Sequence, residues 1–387
     1  MRSHERLHAW RAARNVLCVR LDSMGDVLMT GPAIRALRFA NPHRRITLLS
    51  SRAGVEAAAL MPEIDAAIAY DAPWMKGALP MPTRDLEMRD TLAEGRYDAA
   101  VVFTVYSQSA LPAALLCHLA DIPLRVAHCR ENPYGLLTDW VPESEPGPAT
   151  RHEVQRQLDL VRTVGASTIH ANMRIAVPEH ARMAVDDRVA GAGIAHATPL
   201  LVLHPGASAA SRRYPADRFA EVARRLLDAW DGHIVVTGSA DEAALVDTVV
   251  RPAAATGRIH GVAGRLDLPE LAALIERAHL VISNNSGPAH LAACVGTPVV
   301  DLYALTNPQH TPWNVPHRVL FHDVPCRYCY KSVCPHGHNL CLTGVDASEV
   351  VAAALFFLTG TPAQAGEAMP DVAPRMREIR VAAAHSH

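Results

Sequence analysis

Two aspartates stand in a short polar turn near the start of the chain. The turn follows the apolar residues 16–19, precedes an apolar helical pattern, and carries Asp22, Ser23, Gly25 and Asp26. A buried strand that delivers a glycine and two carboxylates to the start of a helix is typical of the ligand-binding edge of an α/β sheet. We therefore expect a ligand to bind at this turn.

Two turns in the second half of the chain have the features of anion sites. The first follows an apolar strand pattern and contains His204, Gly206, Ala207 and Ser208, with Arg212 four residues beyond. Backbone amides in such a turn can face a phosphate, and a planar guanidinium donates two hydrogen bonds at once. The alternative is a solvated basic turn that caps the following helix.

The second of these turns also joins a strand pattern to a helical pattern, and it contains Asn285, Ser286, Gly287, Pro288 and His290. A helix N-terminus presents unpaired amides and the positive end of the helix dipole, both of which stabilise a diphosphate. Taken singly, Ser286 or Asn285 could be an N-cap, and His290 could be a packed core histidine. Two anion-type turns in one half of the chain favour a nucleotide diphosphate over two unrelated caps.

Alternating strand and helix patterns position these turns. The alternation predicts parallel sheets that are covered by helices on both faces, an α/β fold class. The predicted strands are 16–21, 46–50, 66–70, 99–105, 125–128, 200–204, 234–237, 259–262, 280–283 and 299–303. The predicted helices are 32–39, 54–61, 85–95, 110–120, 152–164, 215–231, 241–250, 269–278, 287–295 and 348–358.

The length of 387 residues and the apolar fraction of 49% suit two domains with separate cores. Residues 175–199, which contain Pro178, are the predicted linker, and residues 141–149 are predicted to be a Pro-, Gly- and Glu-rich connection. The predicted divisions are a basic, partly helical N-terminal arm at 1–14, a Rossmann-like domain at 15–180, a second one at 181–345 with a Cys-rich loop at 326–341, a C-terminal helix at 346–360 and a disordered tail at 361–387.

Several classes of function are not supported by the sequence. The first turn has one glycine where a dinucleotide site needs G-x-G-x-x-G, and no P-loop or H-E-x-x-H sequence occurs. A formal net charge of -2 gives no overall attraction to nucleic acid. The chain has neither a secretory signal nor an apolar run near the ~18 residues of a spanning helix. We expect a cytosolic protein that is at most peripheral to a membrane.

Four cysteines occur within sixteen residues, in the spacing C-x2-C-x4-C-x6-C, with two histidines among them. Such a cluster could hold a structural zinc or an iron–sulfur cluster, or it could consist of free thiols or form a redox-sensitive bridge. The four remaining cysteines are scattered through strand and helix patterns, where a thiol behaves as a small apolar group. The cluster consists of Cys326, Cys329, Cys334 and Cys341.

Taken together, the three turns resemble those of the heptosyltransferases of glycosyltransferase family 9, which transfer heptose from ADP-heptose to the inner core of lipopolysaccharide. The resemblance runs in order and spacing from about residue 15 to residue 358. It rests on Leu21-Asp22-Ser23-Met24-Gly25-Asp26-Val27 with Thr30 and Pro32, on His204-Pro205-Gly206-Ala207-Ser208 with Arg212-Arg213-Tyr214-Pro215, and on Asn285-Ser286-Gly287-Pro288-x-His290-Leu291.

The resemblance implies a GT-B architecture, in which two Rossmann-like domains face each other across a cleft. It implies that the N-terminal domain binds the acceptor, that the C-terminal domain binds the nucleotide sugar, and that transfer inverts the anomeric carbon without a required metal or cofactor. Asp26 takes the place of the family's general base, with Asp22 as the second choice. The alternative for Asp26 is an N-capping carboxylate without a catalytic role.

The resemblance also implies roles for the other turn residues and for partners. The acceptor would contact Asp22, Ser23 and Gly25, and the nucleotide sugar would contact His204, Gly206, Ala207, Ser208, Arg212, Asn285, Ser286, Gly287, Pro288 and His290. The partners would be ADP-heptose and a lipid A-core or other glycan at the cytosolic face of the inner membrane, with no nucleic acid. The oligomeric state stays open.

Two departures from the family pattern are visible. Arg212 stands where many members have Lys, and Asn285 stands where many have Asp, so the sugar specificity is open. Other functions consistent with the sequence are a transferase for another nucleotide sugar, a nucleotide-sugar-binding protein without catalysis, and a metal-stabilised interaction module.

Overall fold

A computed structural model describes residues 3–146 and 150–360 of the chain. They form two parallel six-stranded sheets, one in each half, with helices packed on both faces. The predicted α/β class is therefore confirmed. Buried residues dominate the central strands, as expected for parallel sheets that are covered on both sides.

The N-terminal half contains a sheet of strand order β3-β2-β1-β4-β5-β6. Its strands are β1 (Asn15–Arg20), β2 (Arg45–Ser50), β3 (Ala66–Ala69), β4 (Ala99–Val102), β5 (Leu124–Cys129) and β6 (Asp139–Pro142). Its helices are α1 (Ser3–Ala12), α2 (Met24–Ala40), α3 (Arg52–Ala58), α4 (Pro82–Glu94), α5 (Leu111–Leu119) and α6 (Glu153–Arg162), with a 3₁₀ turn at Tyr134–Leu136.

The C-terminal half contains a sheet of strand order β12-β11-β10-β7-β8-β9. Its strands are β7 (Leu200–His204), β8 (His233–Val236), β9 (Ile259–Gly261), β10 (Leu280–Asn284), β11 (Val299–Leu302) and β12 (His317–Leu320). Its helices are α7 (Glu179–Gly191), α8 (Ala216–Ala229), α9 (Ala243–Val250), α10 (Leu268–Arg277), α11 (Gly287–Val295), α12 (Leu340–Thr343) and α13 (Ala347–Thr359), with 3₁₀ turns at Ala210–Arg212, Ala240–Glu242 and Arg251–Thr256.

The strand order places all three predicted ligand turns at points where the chain reverses its direction across a sheet. In the first sheet this point lies between β1 and β4, and the β1–α2 turn opens there. In the second sheet it lies between β7 and β10, whose following turns are the two anion-type turns. Ligands of open α/β sheets bind in the crevice at such points.

The predicted linker at residues 175–199 is wrong over much of its length, because Glu179–Gly191 forms α7. Ala181, Val185 and Val189 are buried at a spacing of four residues, and α7 packs against α10. The apolar spacing of four is the helical signal that the abundance of Gly, Ala and His obscured.

Two edge strands were not predicted. The segment interpreted as a connection from residue 141 begins inside β6, and β12 follows a stretch without a strand prediction. Both strands have four residues and are only partly buried. Short edge strands need few apolar side chains, so their pattern is weak in the sequence.

The predicted N-terminal arm is a docked helix. Trp10 of α1 is 1% exposed within the apolar core of the N-terminal half, and its indole nitrogen donates a hydrogen bond to Asp139 over 2.9 Å. The predicted tail at 361–387 lies outside the described residues. Within the described ranges, no helix combines the length and apolar character needed to cross a membrane.

Candidate active site

The turns of the two sheets meet in one cleft that contains three adjoining cavities. The C-side cavity, of about 420 Å³, is lined mainly by the C-terminal half. The N-side cavity, of about 1090 Å³, is lined mainly by the N-terminal half, and a connecting cavity of about 220 Å³ lies between residues of both. Asp26 and Arg212, one from each half, line all three cavities. The cleft is therefore organised around this pair.

Arg20, at the end of β1, holds the carboxylates of the first turn. Its guanidinium nitrogens lie 2.9 Å from Asp22, 3.1 Å from Asp26 and 2.7 Å from Glu153. Arg20 and Glu153 are fully buried, and Glu153 reaches the network from α6. A buried cation needs such partners, because removing a charge from water costs several kcal/mol unless it is paired. The network fixes both aspartates at the edge of the cleft.

Asp26 serves two purposes with its two oxygens. Oδ2 accepts hydrogen bonds from the backbone N–H of Ser23 over 3.1 Å and from the Ser23 hydroxyl over 2.6 Å. The two residues form a capping box, in which Ser23 is the N-cap of α2 and Asp26 is the third helical residue. Asp26 therefore takes part in capping the helix, although it is not the N-cap itself. Oδ1 contacts Arg20 and lies 4.0 Å from Nε2 of His310, which belongs to the other half. The cap therefore leaves one oxygen toward the cleft.

The two aspartates have opposite pKa shifts. Burial raises the pKa of Asp22 to about 6, although Arg20 opposes that shift. Burial also opposes ionisation of Asp26, but the charge of Arg20 and the hydrogen bond of Ser23 outweigh it and hold the pKa of Asp26 well below its usual range. Neighbouring groups with separated pKa values are common in sites of acid–base chemistry.

The C-side cavity gathers most of the residues that the sequence assigned to the nucleotide sugar. Nine of those ten residues line it, together with Ser23, Gly25 and Asp26 of the first turn. Gly206 does not line the cavity, and Asp22 lines the N-side and connecting cavities instead. The nine residues are His204, Ala207, Ser208, Arg212, Asn285, Ser286, Gly287, Pro288 and His290.

Asn284, the last residue of β10, joins the two anion-type turns. Its side-chain amide donates hydrogen bonds to the carbonyl of Pro205 over 2.7 Å and to that of Gly206 over 3.3 Å. Its side-chain oxygen accepts a hydrogen bond from the backbone N–H of Tyr214 over 2.9 Å. Arg213 donates to the carbonyl of Ala207 over 2.8 Å. The carbonyls of the loop are thus occupied by fixed donors.

Glu242 places a carboxylate against the first anion-type turn. A Cβ at position 206 would lie 2.2 Å from Oε1 of Glu242, so Gly206 gives that side chain its room. Oε2 accepts a hydrogen bond from the backbone N–H of Ser239 over 2.9 Å. Nearby, Nδ1 of His204 lies 3.0 Å from the Thr237 hydroxyl, and burial lowers the pKa of His204 to about 4.

The N-termini of α2 and α11 approach each other closely across the cleft. A Cβ on Gly25 would lie 2.6 Å from Cδ2 of His290, and a Cβ on Gly287 would lie 2.0 Å from the terminal methyl of Met24. One apolar cluster continues through this contact from one half into the other. The two glycines therefore allow both helix N-termini to face the same cavity.

Several residues of this site escaped the sequence interpretation. A charged residue at the end of an apolar strand is a signal that identifies Arg20, because such a position is buried. Nothing local identifies the other three as site residues, because they stand in helical or loop patterns far from the turns. They are Glu153, Glu242 and His310.

The Cys-rich loop borders the cleft rather than forming its centre. Residues 330–332 line the connecting cavity, and the backbone carbonyls of Lys331 and Ser332 accept hydrogen bonds from Ser211. The four cysteines are half-buried, none of them forms a disulfide bond in the described structure, and burial raises the pKa of Cys341. In the part of the chain that the structure describes, no three His, Cys, Asp or Glu side chains form a group that could hold a metal ion. The structural zinc stays a prediction.

Comparison with known proteins points to one family. The sequence model described as glycosyltransferase family 9 (heptosyltransferase) matches residues 86–339. Lipopolysaccharide heptosyltransferase 3 of Escherichia coli strain K12 is 27% identical over 290 residues, which cover 75% of this chain and 81% of the relative.

Solved structures agree with this relationship at the level of the fold. A glycosyltransferase family 9 protein from Veillonella parvula has a TM-score of 0.75 at 22% identity, covering 90% of this chain and 98% of its own. The E. coli ADP-heptose lps heptosyltransferase II has a TM-score of 0.70 at 23% identity, covering 89% and 99%. The expected GT-B architecture is confirmed. Because the family model matches well over half of the 387 residues, the chain belongs to glycosyltransferase family 9.

Proposed function

We propose that this glycosyltransferase moves heptose from ADP-heptose to the inner core of lipopolysaccharide or to a related surface glycan, with inversion at the anomeric carbon. The relatives named above are lipopolysaccharide heptosyltransferases, which supports the sugar and the class of acceptor. The observation that carries the mechanism is the position of Asp26, a carboxylate at the junction of three cavities. A nucleotide sugar on one side and an acceptor on the other would both reach it.

Asp26 is the proposed general base. Transfer requires that the attacking hydroxyl lose its proton as its oxygen bonds to the anomeric carbon. Oδ1 of Asp26 lines the cleft, and the lowered pKa keeps it ionised at neutral pH. That lowered pKa also makes Asp26 a weak base, so the carboxylate acts by its position. Asp22, with its higher pKa, is the second candidate for this role.

The C-side cavity would bind the nucleotide diphosphate. The N-terminus of α11 offers unpaired backbone amides and the positive end of its dipole. Arg212 adds a guanidinium, and the hydroxyl of Ser208 adds a donor to the same cavity. These groups would stabilise the charge that develops on the leaving diphosphate, so we propose transfer without a metal. The carboxylate of Glu242, at the same cavity, suits the hydroxyls of the nucleotide ribose.

A different nucleotide sugar is the second candidate for the donor. Asn285, where many family members have Asp, is buried, and its side-chain amide donates to the carbonyl of His310 over 3.4 Å. An amide can donate to a sugar hydroxyl where a carboxylate can only accept. The replacement therefore favours a change in which hydroxyl of the sugar is recognised.

The N-side cavity would receive the glycan acceptor, and we place the enzyme at the cytosolic face of the inner membrane. The cavity extends from the first turn to the loop that carries Trp74 and Lys76. Leu79, whose side chain is exposed, lies at the cavity itself. The placement is supported by the relatives named above, which are lipopolysaccharide heptosyltransferases and so act on a lipid-anchored glycan.

Donor identity can be tested by thermal stabilisation. A ligand that binds only the folded protein raises its melting temperature, by an amount that grows with concentration over Kd. We expect ADP-heptose to raise the melting temperature more than GDP-, UDP- and dTDP-sugars at equal concentration. No shift with any ADP-linked sugar, beside a clear shift with another nucleotide sugar, would support the second candidate.

The base can be tested with Asp26→Asn and a matched Asp22→Asn variant. We expect Asp26→Asn to lower the rate of transfer by about 10²- to 10⁴-fold, the usual contribution of a general base, while the thermal shift with ADP-heptose persists. Asp22→Asn should have the smaller effect. Equal transfer by wild type and Asp26→Asn, with equal donor binding, would show that the base assignment is wrong.

A further inference from the structure

His310 is a buried histidine that lies beside Asp26, the proposed base. It belongs to the loop after β11, and it is 8% exposed. Its Nε2 atom is buried and, within the described part of the chain, has no hydrogen-bond partner, although it lies 4.0 Å from Oδ1 of Asp26. Buried polar atoms are nearly always hydrogen-bonded, so an unpartnered nitrogen beside the proposed base calls for a functional explanation.

The loop that carries His310 belongs to the C-terminal half and is held by residues of the N-terminal half. The carbonyl of Gln309 accepts a hydrogen bond from the backbone N–H of Glu153 over 3.0 Å, and its side-chain amide donates to Glu145 over 2.6 Å. The carbonyl of Thr311 lies 2.8 Å from Nε2 of His152. The imidazole of His310 is thus fixed opposite Asp26 by the residues on either side of it.

Asp26 holds a proton only weakly, because its hydrogen bonds stabilise the ionised carboxylate. Oδ2 already accepts two hydrogen bonds from Ser23, and Oδ1 accepts one from Arg20. A proton on Oδ1 would neutralise the carboxylate and weaken these hydrogen bonds, so a neighbouring base is favoured as the final acceptor. An acceptor hydroxyl about 2.8 Å from both Oδ1 and Nε2 of His310 fits the 4.0 Å gap, because the three atoms then form a triangle.

We propose that His310 accepts, from Asp26, the proton that the acceptor hydroxyl loses during transfer; this inference rests on the proposed function. The O–H bond of the acceptor breaks, its proton moves to Oδ1 of Asp26, and its electron pair forms the bond to the anomeric carbon. The bond from that carbon to the diphosphate oxygen breaks, and the diphosphate leaves with the electron pair. Once the product has left, a water molecule takes its place between the two side chains and carries the proton from Oδ1 across the 4.0 Å gap to Nε2 of His310. This leaves a carboxylate beside an imidazolium, which then loses the proton to solvent.

The charges around His310 are consistent with this role. Burial lowers the pKa of His310, so the imidazole is neutral and able to accept a proton at neutral pH. The carboxylates of Asp26 and Glu153 oppose that shift and would stabilise the imidazolium once it forms. The titratable and charged groups that act on it from the surrounding elements are Asp26, Glu153, Arg20, Arg212, His152 and His290.

The test is a His310→Gln variant, because glutamine keeps a polar side chain of similar reach but takes no proton at neutral pH. Transfer from ADP-heptose to lipopolysaccharide truncated in its inner core is measured between pH 5 and pH 9. In the wild type we expect kcat to fall toward acid pH as His310 becomes protonated, in addition to any effect of Asp22, whose pKa is about 6 and which is unchanged in the variant. In the variant we expect kcat at pH 7.5 to fall by about 10- to 100-fold, the acid limb to flatten, and KM for ADP-heptose to change less than twofold.

His118→Gln, on the exposed side of α5, is the matched control and should leave both kcat and the pH profile unchanged. A lower kcat with an unchanged acid limb would mean that His310 has only a structural role, and would overturn the proposal, as would wild-type kinetics. If Asp26→Asn abolishes transfer while His310→Gln keeps the acid limb or has wild-type kinetics, the proposed function stands and only the proton transfer to His310, here called the relay, is refuted. If wild type transfers no sugar from ADP-heptose, the proposed function fails and the relay falls with it.

Discussion

The two sides of the cleft differ in the charge state of their ionisable side chains. The N-terminal side holds ionised groups, with three carboxylates around the buried guanidinium of Arg20. The C-terminal side buries histidines instead, and burial lowers the pKa of His204 to about 4 and that of His290 to about 3, so both are neutral at pH 7. Its positive character comes from Arg212 and from helix amides.

This difference suits two different tasks. Carboxylates on the N-terminal side can receive a proton, but they would repel a diphosphate. Neutral histidines and amide donors on the C-terminal side can surround a diphosphate, and Glu242 and Asp267 are the carboxylates that this half contributes to the lining of the cavity. We infer that the proton and the leaving group are handled on separate sides of the cleft, with Asp26 and Arg212 at the boundary.

Arg20→Met tests how much the ion pairs of the N-terminal side contribute to stability, and it should have the largest effect. The change leaves the buried Glu153 and the partly buried Asp22 and Asp26 without their common cation, and breaking a buried ion pair costs about 3–5 kcal/mol. We expect the free energy of unfolding, measured by chemical denaturation, to fall by about that amount. Arg224→Met removes an exposed ion pair with Asp228 in α8 and should cost less than about 1 kcal/mol. Equal losses of unfolding free energy in the two variants would mean that the ion pairs of Arg20 contribute no more to stability than an exposed pair.

Arg212→Ala tests whether the C-terminal side holds the diphosphate. A charged hydrogen bond contributes about 1.5–3 kcal/mol, so we expect the Kd for ADP, measured by titration calorimetry, to rise by about 10- to 100-fold. The neighbouring Arg213 is exposed and donates to the carbonyl of Ala207, so Arg213→Ala should raise Kd less. A larger effect at Arg213 would reverse the assignment of the two arginines.

Gly25→Ala tests whether the two sides must approach as closely as they do. The added Cβ would lie 2.6 Å from the buried ring of His290, so the ring or the helix must shift. Overpacking of this kind costs about 1–3 kcal/mol, and we expect a lower melting temperature together with a lower kcat. Gly191→Ala, at the end of α7 where no atom lies within 4 Å, is the control and should be neutral or slightly stabilising. Similar losses in both variants would refute the contact across the cleft.

The smallest expected effect concerns the neutral histidines. In an unfolded chain a histidine titrates near pH 6.5, whereas the native pKa of His204 is about 4. As the pH falls from 7.5 to 5.5, the unfolded chain therefore binds a proton that the native protein excludes, and stability falls by on the order of 1 kcal/mol for this residue. Asp22 acts in the opposite direction, because its native pKa is raised and the native protein gains a proton as the pH falls through about 6.

His204→Gln should therefore make the free energy of unfolding less dependent on pH over this interval by that amount. The exposed His118→Gln variant should follow the wild type. An unchanged slope for His204→Gln would mean that His204 is not held neutral in the native protein.

Local patterns in the amino-acid sequence were enough to predict the class of fold and to identify the three turns. Strand and helix periodicity are local properties, as are the glycines and capping residues that follow a strand, so alternating patterns predicted most strands and placed Asp26 beside a helix start. The same local reasoning failed for α7, whose apolar spacing is sparse, and for the short edge strands β6 and β12.

The remote groups that surround Asp26 could be identified only from the folded protein. Arg20 meets Glu153 across 133 positions of sequence, and His310 reaches Asp26 from the opposite half of the molecule. These contacts depend on how α6 and the loop after β11 pack against the first sheet, and no spacing along the chain encodes that packing. The ionised state of Asp26 and the proximity of His310 as a proton acceptor therefore depend on the folded protein alone.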